Sequence, residues 1–435
     1  MLKNEQKVAF HTIGCKLNYA ETSSISRQFE SAGYVKTDFH EVADLYVINT
    51  CSVTENADRD FRKLVNRTKR LSPQSKIAVI GCYAQLKPDL IAETTAVDVV
   101  LGAREKFNLI QYVNFESNPQ SPLVIQDVNV EELHGCIPSY SVGDRTRSFL
   151  KIQDGCDYPC TYCTIPLARG RSRSIDPDIL VQQTQEIVSQ GVREIVLTGV
   201  NVGDYHFGDG QDLLHLLQRL DVVEGIERIR ISSIEPNLLT NEILEFVAGS
   251  TSVLPHFHIP LQSGSDKILG LMKRRYKTDL YRERIHSVRK VLPEAGIGID
   301  VIVGFPGEDQ AEFERTRHFL ESIDFSYLHV FTYSERPNTE SINFPGKVSM
   351  IDRKMRNRAL TDLSDNKNQA FARRQMGTLQ NVLFESWESG SLSGMSENYL
   401  KIRVQSENQD LVNQIAQVEL GIFTDECLQG TIITK

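Results

Sequence analysis

The chain has 435 residues, of which 40% are hydrophobic and 24% are charged, and its formal net charge is −9. This length and composition predict a globular protein of about two or three domains that buries its cores without disulfide bonds. No apolar run is long enough to span a bilayer, and residues 1–5 lack the apolar stretch of a signal peptide behind them, so we expect a cytoplasmic protein with no membrane partner. Because the net charge is negative, an RNA partner would need a local basic patch.

Short buried strands alternate with helices in the first region of the chain, which we place at residues 1–114. The apolar runs are Val8–Ile13, Leu45–Ile48 and Ile77–Ile80, and helical stretches lie near residues 19–32 and 57–71. Strand–helix alternation of this kind predicts a parallel α/β sheet.

A cysteine follows each of these three strands, namely Cys15, Cys51 and Cys82. The carboxyl ends of parallel strands share one edge of a sheet, and ligands bind at that edge. The three thiols would therefore meet in one crevice, although they are distant in sequence. Their spacing alone leaves two interpretations open, a second iron–sulfur cluster or three buried structural cysteines.

Residues 115–147 are predicted to be a linker, because they contain several prolines and glycines and show weak periodicity.

The next region, 148–370, alternates strands and helices again. Its strand candidates are Phe149–Ile152, Ile195–Thr198, Ile229–Ser232, Phe257–Ile259, Ile299–Val303 and Leu328–Phe331. Repeated βα units predict a partial or full barrel with its site at the strand C-termini. One helix has clear end signals, with Asp176 as N-cap, Pro177 in the first position and Gly191 as a stop.

The last region, 371–435, has a different pattern. The run from Leu400 to Val404 alternates apolar and polar residues, which is typical of a strand. Glycines separate such runs, and the simplest interpretation is a small appended β-barrel.

The most specific motif is Cys156, Cys160 and Cys163, spaced C-x3-C-x2-C. A [4Fe–4S] cluster normally takes four thiolates, so three in one loop leave an iron open for a substrate or cofactor. The alternative is a zinc knuckle, but zinc usually takes four ligands and no nearby histidine or second cysteine pair completes such a set. Gly155 before the motif and Tyr162 within it fit the pattern of radical S-adenosylmethionine enzymes. The chain has eight cysteines in all, and we expect Cys136 and Cys427, the other two, to be inert thiols.

Strand ends of the second region supply candidate contacts to S-adenosylmethionine. These are Tyr162, Thr198, Gly199, Asn201, Ser233, Glu235, Gln262, Asp300 and Val303. Gly199 would allow close approach of the backbone, Glu235 could accept a ribose hydroxyl or meet the methionine ammonium, and the strand ending at Val303 could pack under the adenine. Ordinary turns, a solvated acid and a core strand are the competing interpretations.

Three basic groups could face RNA phosphates, which contribute affinity rather than sequence choice. They are Arg59, Arg62, Lys63, Arg67, Lys69 and Arg70; then Arg169, Arg171 and Arg173; then Lys273, Arg274 and Arg275. A solvated helix face is the alternative for the first group, whereas the second group would surround the mouth of the active site.

With these residues together, the chain resembles the radical S-adenosylmethionine methylthiotransferases over essentially its whole length. The matching segments are Thr12–Asn18, Asn49–Thr54, Gly81–Cys82, the Cys156 motif and His258–Asp266. The resemblance implies an N-terminal α/β domain with three cluster-binding cysteines, a central radical domain and a C-terminal β-barrel of the TRAM type. It makes Cys15, Cys51 and Cys82 the ligands of an auxiliary [4Fe–4S] cluster.

Within that family, Gly14–Asn18 with Tyr19 and Glu21 looks most like the branch that acts on N6-threonylcarbamoyladenosine in tRNA, as does Ser334–Thr339. The resemblance implies two clusters, two S-adenosylmethionine molecules per product, the tRNA anticodon arm as partner, and a one-electron reductant such as flavodoxin or ferredoxin. It implies no catalytic side chain beyond the cluster ligands. The alternatives are the isopentenyladenosine branch, the branch that modifies a ribosomal-protein aspartate, and a non-catalytic iron–sulfur protein that binds RNA.

Overall fold

The structure is a computed structural model that describes residues 6–51, 55–94, 96–113, 122–126, 130, 133–143, 146–424 and 427–433. Within these residues, no helix combines the length and the apolar character needed to cross a membrane. Three regions follow one another along the chain, and each has its own sheet or barrel.

The N-terminal region is a six-stranded sheet flanked by helices. Its elements are β1 (Lys7–Thr12), α1 (Lys16–Ser31), β2 (Val35–Thr37), β3 (Leu45–Thr50), α2 (Glu55–Leu71), β4 (Lys76–Gly81), α3 (Cys82–Leu86), α4 (Pro88–Thr94), β5 (Val99–Leu101), α5 (Leu109–Tyr112) and β6 (Leu123–Ile125). The strand order is β2-β1-β3-β4-β5-β6, and all the pairs are parallel. Strand β6 lies in the segment predicted to be a linker. It was missed because a strand of three residues is too short to show a periodic pattern in the sequence.

Both faces of this sheet are buried, which explains the continuous apolar runs in the sequence. In β4, for example, Ile77 and Val79 pack on one face, whereas Ala78 and Ile80 pack on the other. Strands β1, β3 and β4 are neighbours, so their carboxyl ends lie side by side.

The central region is a partial (β/α) barrel. Its elements are β7 (Arg147–Lys151), β8 (Gln153–Asp154), α6 (Ile165–Arg169), β9 (Arg173–Ser174), α7 (Pro177–Ser189), β10 (Glu194–Thr198), β11 (His206–Phe207), β12 (Gln211–Asp212), α8 (Leu213–Asp221), β13 (Arg228–Ile231), α9 (Asn241–Gly249), β14 (His256–His258), α10 (Asp266–Leu271), α11 (Thr278–Val291), β15 (Gly296–Val303), α12 (Gln310–Ser322), β16 (Tyr327–Thr332) and α13 (Met350–Arg374). Strands β7, β10 and β13 form one parallel sheet, and β14, β15 and β16 form another. Parallel bridges from Ile229 to Val253 and from Ser233 to His258 join the two sheets in chain order.

The C-terminal region is a closed five-stranded barrel. It consists of β17 (Leu379–Glu388), β18 (Ser391–Ser396), β19 (Lys401–Gln405), β20 (Ile415–Thr424) and β21 (Cys427–Ile432), in the order β17-β18-β19-β21-β20. The predicted fold class, α/β with a small terminal β-barrel, is confirmed. The predicted strands are present with ends shifted by at most three residues. Helix α13 continues past residue 370, so that domain boundary stays a sequence-based proposal.

Helix α1 joins the N-terminal region to the barrel. Its residues Tyr19 and Ala20 pack against Phe149 of β7 and Val196 of β10. Phe149 and Val196 are opposite each other in the β7–β10 register. This packing places the N-terminus of α1, and with it Cys15, beside the barrel wall.

Candidate metal centres

The Cys156 motif lies in the loop between β8 and α6, at the carboxyl end of the first barrel strand. All three cysteines are half-buried, and each sulfur accepts a hydrogen bond. The donors are Tyr158 N to Cys156 Sγ at 3.4 Å, Ile165 N to Cys163 Sγ at 3.4 Å and Arg274 Nη1 to Cys160 Sγ at 3.1 Å. Hydrogen bonds of this kind stabilise thiolates, the form in which cysteine binds metal.

Burial raises the pKa of the Cys156 thiol to about 11 and that of Cys163 to about 12. These buried thiols therefore hold their protons at neutral pH unless a cationic centre compensates the negative charge, which is what a bound cluster does. The donor set, three sulfurs with polar donors aimed at them, fits a [4Fe–4S] cluster with one iron left open.

The structure also bears on the zinc alternative. A zinc ion bound by sulfur at about 2.3 Å brings its ligand atoms to about 3.8 Å from one another. Among the described residues, the one group of three His, Cys, Asp or Glu ligand atoms that all lie within 4.8 Å of one another is His258, Asp300 and His329. Neither cysteine set is that compact, and the wider spacing suits a cluster better than a single ion.

The second cysteine set lies at the carboxyl ends of β1, β3 and β4. Cys15 is the N-cap of α1, Cys51 directly follows β3, and Cys82 begins α3. A Cβ atom on Gly14 would lie 2.9 Å from the Cys51 Cβ, so only glycine lets these two loops approach so closely.

Asn18 and Asn49 hold the loops of this edge together. The Asn18 side chain donates to Thr50 O at 3.1 Å and to Ile13 O at 3.4 Å, and the Asn49 side chain donates to Asn18 O at 3.0 Å. Both asparagines are fully buried. Because their amides bridge backbone groups of β1, β3 and α1, the positions of Cys15 and Cys51 are coupled.

Helix α6 connects the two cysteine sets. It begins at Ile165, whose N–H donates to Cys163, and it ends at Arg169, whose Nε donates to Cys82 Sγ at 3.2 Å. Arg169 also donates to Asn18, to Glu21 at 3.0 Å and to Asp154 at 2.9 Å. The prediction that Arg169 faces RNA phosphates is therefore wrong, because these partners bury its guanidinium.

Arg169 belongs to a buried charge cluster formed by Glu21, Lys106, Lys151, Asp154 and Arg169. Glu21 pairs with Lys106 at 2.6 Å and with Lys151 at 2.9 Å, and Asp154 pairs with Lys151 at 2.7 Å. Burial by itself would raise the pKa of Glu21, but Arg169 and the two lysines hold it well below its usual range. The cluster has three cations and two carboxylates, and its excess positive charge suits the thiolates of a neighbouring metal centre.

Three of the predicted cofactor contacts come together beside the Cys156 motif. Tyr162, Gln262 and Asp300 line a cavity of about 240 Å³ together with Cys163. The Tyr162 ring packs edge-on against Phe305. This cavity is adjacent to the cysteine loop and large enough for part of a nucleoside.

Thr198, Gly199 and Asn201 lie at the end of β10. Gln153 accepts hydrogen bonds there from Val200 N and Asn201 N, both at 3.0 Å. Both polar atoms of the Asn201 side chain are buried without a hydrogen-bond partner. A buried amide of this kind needs a ligand or water to satisfy it, which fits a bound S-adenosylmethionine.

The remaining predicted contacts, Ser233, Glu235 and Val303, do not line the cavity beside the Cys156 motif. Ser233 lies 2.7 Å from His258 Nδ1, and Glu235 is paired with Arg274, the residue that donates to Cys160. Burial raises the pKa of Glu235, although Arg274 opposes the rise. Val303 is packed in the barrel core and its carbonyl accepts from Tyr333 N, so its side chain does not reach the cavity.

Sequence reasoning missed Arg274 as a partner of the cysteine motif and assigned it to RNA phosphates, which is wrong because its side chain is buried. It also missed the group of His258, Asp300 and His329. His258 Nε2 lies 3.0 Å and His329 Nδ1 lies 3.4 Å from Asp300 Oδ1. Burial would raise the pKa of Asp300, but the two neighbouring histidines lower it to about 2. Asp300 and His329 are opposite each other in the β15–β16 register, whereas His258 is opposite Gly298, two residues before Asp300.

Other members of the three predicted basic groups are exposed, and they lie away from the buried Arg169 and Arg274 side chains. On α2, the side chains of Arg62, Lys63, Arg67 and Arg70 are exposed, and that of Arg59 lies outside the described residues. Arg171 is exposed and pairs with Asp157 at 3.1 Å, whereas Lys273 pairs with Glu340 at 2.6 Å. Helix α2 therefore presents exposed cations to solvent.

Two family models match the chain. The model described as "Uncharacterized protein family UPF0004" matches residues 7–102, and the model of the "Radical SAM superfamily" matches residues 150–320. The first match covers strands β1 to β5 with Cys15, Cys51 and Cys82, and the second covers the Cys156 motif and strands β8 to β15.

Curated relatives match nearly the whole chain. The threonylcarbamoyladenosine tRNA methylthiotransferase MtaB of Bacillus subtilis (strain 168) is 38% identical over 95% of this chain and 93% of the relative. The protein of the same name from Aquifex aeolicus (strain VF5) is 36% identical over 91% of this chain and 96% of the relative. A tRNA-2-methylthio-N(6)-dimethylallyladenosine synthase from Hahella chejuensis (strain KCTC 2396) is 31% identical over 98% of each chain.

A solved structure shares the fold. The radical S-adenosylmethionine methyltransferase TsrM from Kitasatospora setae, with tryptophan substrate and a S-adenosylmethionine analogue bound, superposes with a TM-score of 0.57 at 13% identity. The superposition covers 87% of this chain and 78% of TsrM. At this identity the likeness shows the architecture alone.

Proposed function

The chain belongs to the radical S-adenosylmethionine tRNA methylthiotransferases, and we propose that its reaction adds a methylthio group to carbon 2 of N6-threonylcarbamoyladenosine beside the anticodon. Relatives that carry this substrate in their names are 31% to 38% identical to this chain, and relatives named for dimethylallyladenosine are 31% to 33% identical. The substrate assignment is supported by this difference and by the residues around Cys15.

The observation that carries the reaction type is the presence of two cysteine sets joined by one short helix. We propose that Cys156, Cys160 and Cys163 hold the cluster that binds S-adenosylmethionine, and that Cys15, Cys51 and Cys82 hold an auxiliary [4Fe–4S] cluster. When bound, the first cluster with S-adenosylmethionine supplies a hydrogen-abstracting radical, and the second carries the sulfur to be transferred.

The chain's own residues orient and shield these groups. Arg274 and Arg169 donate to one sulfur of each set, and Asn201 offers a buried amide to the cofactor. Apolar packing of α1 on the barrel closes the junction between the N-terminal region and the barrel to water. The exposed cations of α2 offer contacts to the RNA backbone, and a one-electron carrier such as flavodoxin or ferredoxin supplies the electron.

The first test is nucleoside mass spectrometry of tRNA from a strain that lacks this gene. We expect 2-methylthio-N6-threonylcarbamoyladenosine to disappear and N6-threonylcarbamoyladenosine to accumulate, with recovery when the gene is restored. Loss of 2-methylthio-isopentenyladenosine instead would assign the chain to the other tRNA branch. Unchanged tRNA nucleosides would refute the proposal and direct the search to ribosomal proteins.

The second test concerns the number of clusters. Replacing Cys15, Cys51 and Cys82 together with Ala should halve the iron per chain, because one of two cubes is lost, and should spare reductive formation of 5′-deoxyadenosine. The matched variant, Cys156, Cys160 and Cys163 to Ala, should also halve the iron but abolish 5′-deoxyadenosine. An unchanged iron content in the first variant would exclude an auxiliary cluster at that site.

A further inference from the structure

A basic cavity of about 940 Å³ opens on Cys15 and belongs to none of the cofactor contacts described above. It lies between the first turn of α1, the β1–β2 edge of the N-terminal sheet, and the barrel. Gly14 and Cys15 form part of its wall, so a molecule in the cavity is in contact with the auxiliary cysteine set.

The lining of this cavity is basic, whereas the protein as a whole is acidic. Lys16, Lys36 and Arg147 line it, and Asp38 is the one carboxylate among its lining residues in the described part of the chain. The whole chain, by contrast, carries a net charge of −9. A local excess of cations in an acidic protein marks a site for an anionic ligand.

The cations differ in how they are engaged. Arg147 is held by Glu385 at 2.6 Å and lies 3.8 Å from Glu194. The Lys16 ammonium, in contrast, makes no hydrogen bond or ion pair with any residue that the structure describes, although it faces the cavity. Lys16 is therefore the cation that is available to a ligand.

Lys16 directly follows Cys15, so the Cα atoms of the two residues are about 3.8 Å apart. A base whose carbon 2 faces the auxiliary set is therefore close to Lys16, whose long side chain lines the same cavity and can extend to a substituent of that base. The two candidate modified adenosines differ at N6 in charge, because threonylcarbamoyl ends in a carboxylate and isopentenyl is an apolar hydrocarbon.

We propose that Lys16 recognises the carboxylate of the threonylcarbamoyl group and thereby selects this substrate over an adenosine with an apolar N6 group. The inference rests on the proposed function and deepens it. Half-buried aromatic side chains in the same cavity, Phe10 and Tyr399 among them, offer surfaces on which an unpaired base stacks.

The test compares Lys16→Gln with the parent protein, both loaded with iron and sulfide. The probes are anticodon stem-loop RNAs that carry N6-threonylcarbamoyladenosine, N6-isopentenyladenosine or unmodified adenosine at the same position. We expect the parent to bind the first RNA most tightly, and Lys16→Gln to lose about tenfold in affinity for it, the scale of one partly desolvated ion pair. Its affinity for the other two RNAs should stay the same, and Lys16→Arg should restore the preference.

A charge-matched control is Lys36→Gln, which removes a cation from the opposite side of the cavity. It should leave the ratio of affinities for the three RNAs unchanged. If Lys16→Gln weakens all three RNAs equally, Lys16 is a phosphate contact and the inference fails. If the iron content of Lys16→Gln falls below that of the parent, Lys16 supports the cluster and the inference also fails.

The same measurements separate this inference from the proposed function. A parent protein that shows no preference for the threonylcarbamoylated RNA and does not modify it would refute the proposed function. A parent that modifies this RNA, together with a Lys16→Gln variant that keeps the full preference, would refute only the role of Lys16.

Discussion

Arg169 and Arg274 illustrate how a buried guanidinium can serve a metal centre. Each donates to a cysteine sulfur, Arg169 to Cys82 and Arg274 to Cys160, and each also donates to a glutamate, Glu21 or Glu235. The planar guanidinium can contact several acceptors at once in fixed directions, which the point charge of a lysine cannot do. Hydrogen bonds to cluster sulfurs stabilise the reduced state, so in the proposed function each arginine would raise the potential of a cluster bound at its cysteine set.

Replacing Arg169 with Met should strongly destabilise the folded protein. It leaves Lys151 as the remaining cation that Glu21 and Asp154 share, and it leaves Cys82 without its donor. Breaking a buried ion pair from one side costs about 3 to 5 kcal/mol. We expect a lower midpoint in thermal unfolding of the iron-free protein and, after loading with iron, a lower potential of the auxiliary cluster in an EPR titration. Arg171→Met is the matched control, since Arg171 is exposed and pairs with Asp157. Equal unfolding midpoints in the two variants would contradict the role of Arg169.

At the scale of elements, strands β10 and β13 attach the C-terminal barrel. Glu194 of β10 accepts from Arg230 Nε at 2.8 Å and from Arg228 Nη1 at 3.3 Å. Arg230 also donates to Glu397 O at 3.0 Å, and Arg228 to Met395 O at 3.1 Å. One buried carboxylate therefore orients two arginines that bind backbone carbonyls of the other region.

Glu194→Gln should loosen this attachment, and the effect should depend on pH. Burial would raise the pKa of Glu194, but Arg230 and Arg228 outweigh burial and lower it. A carboxylate whose pKa is lower in the folded than in the unfolded state stabilises the fold above its unfolded pKa of about 4.3, and this contribution is lost as the pH falls through the folded value. The free energy of unfolding, measured in urea, should differ between parent and variant by a constant amount from about pH 7 to pH 5. This difference should shrink below about pH 4.

The control for this prediction is Glu227→Gln, which removes an exposed partner of Arg193. Exposed pairs of this kind contribute about 0 to 1 kcal/mol. A pH-independent difference for Glu194→Gln, or one no larger than that of the control, would contradict the prediction. Hydrogen exchange of β17 and β18 would show where the loosening occurs.

At the scale of the whole molecule, much of the architecture could be predicted from the sequence because buried parallel strands are continuous apolar runs. The ends of β3 and β4 are marked by Cys51 and Cys82, so strand-end reasoning located the candidate site as well. Which charged side chains are buried, and with which partners, could not be predicted in the same way. Arg169 is buried by Glu21, which lies 148 residues earlier in the chain, and no local pattern encodes such a pairing.

The charge cluster around Glu21 has a consequence for the order in which the protein matures. Two of the cationic partners of Glu21, Lys151 and Arg169, belong to the barrel, which leaves the ribosome after the N-terminal sheet is complete. Until they arrive, Glu21 must remain hydrated and Cys82 lacks its donor. The sheet edge that carries Cys15, Cys51 and Cys82 is thus completed by residues that are synthesised later than the cysteines themselves.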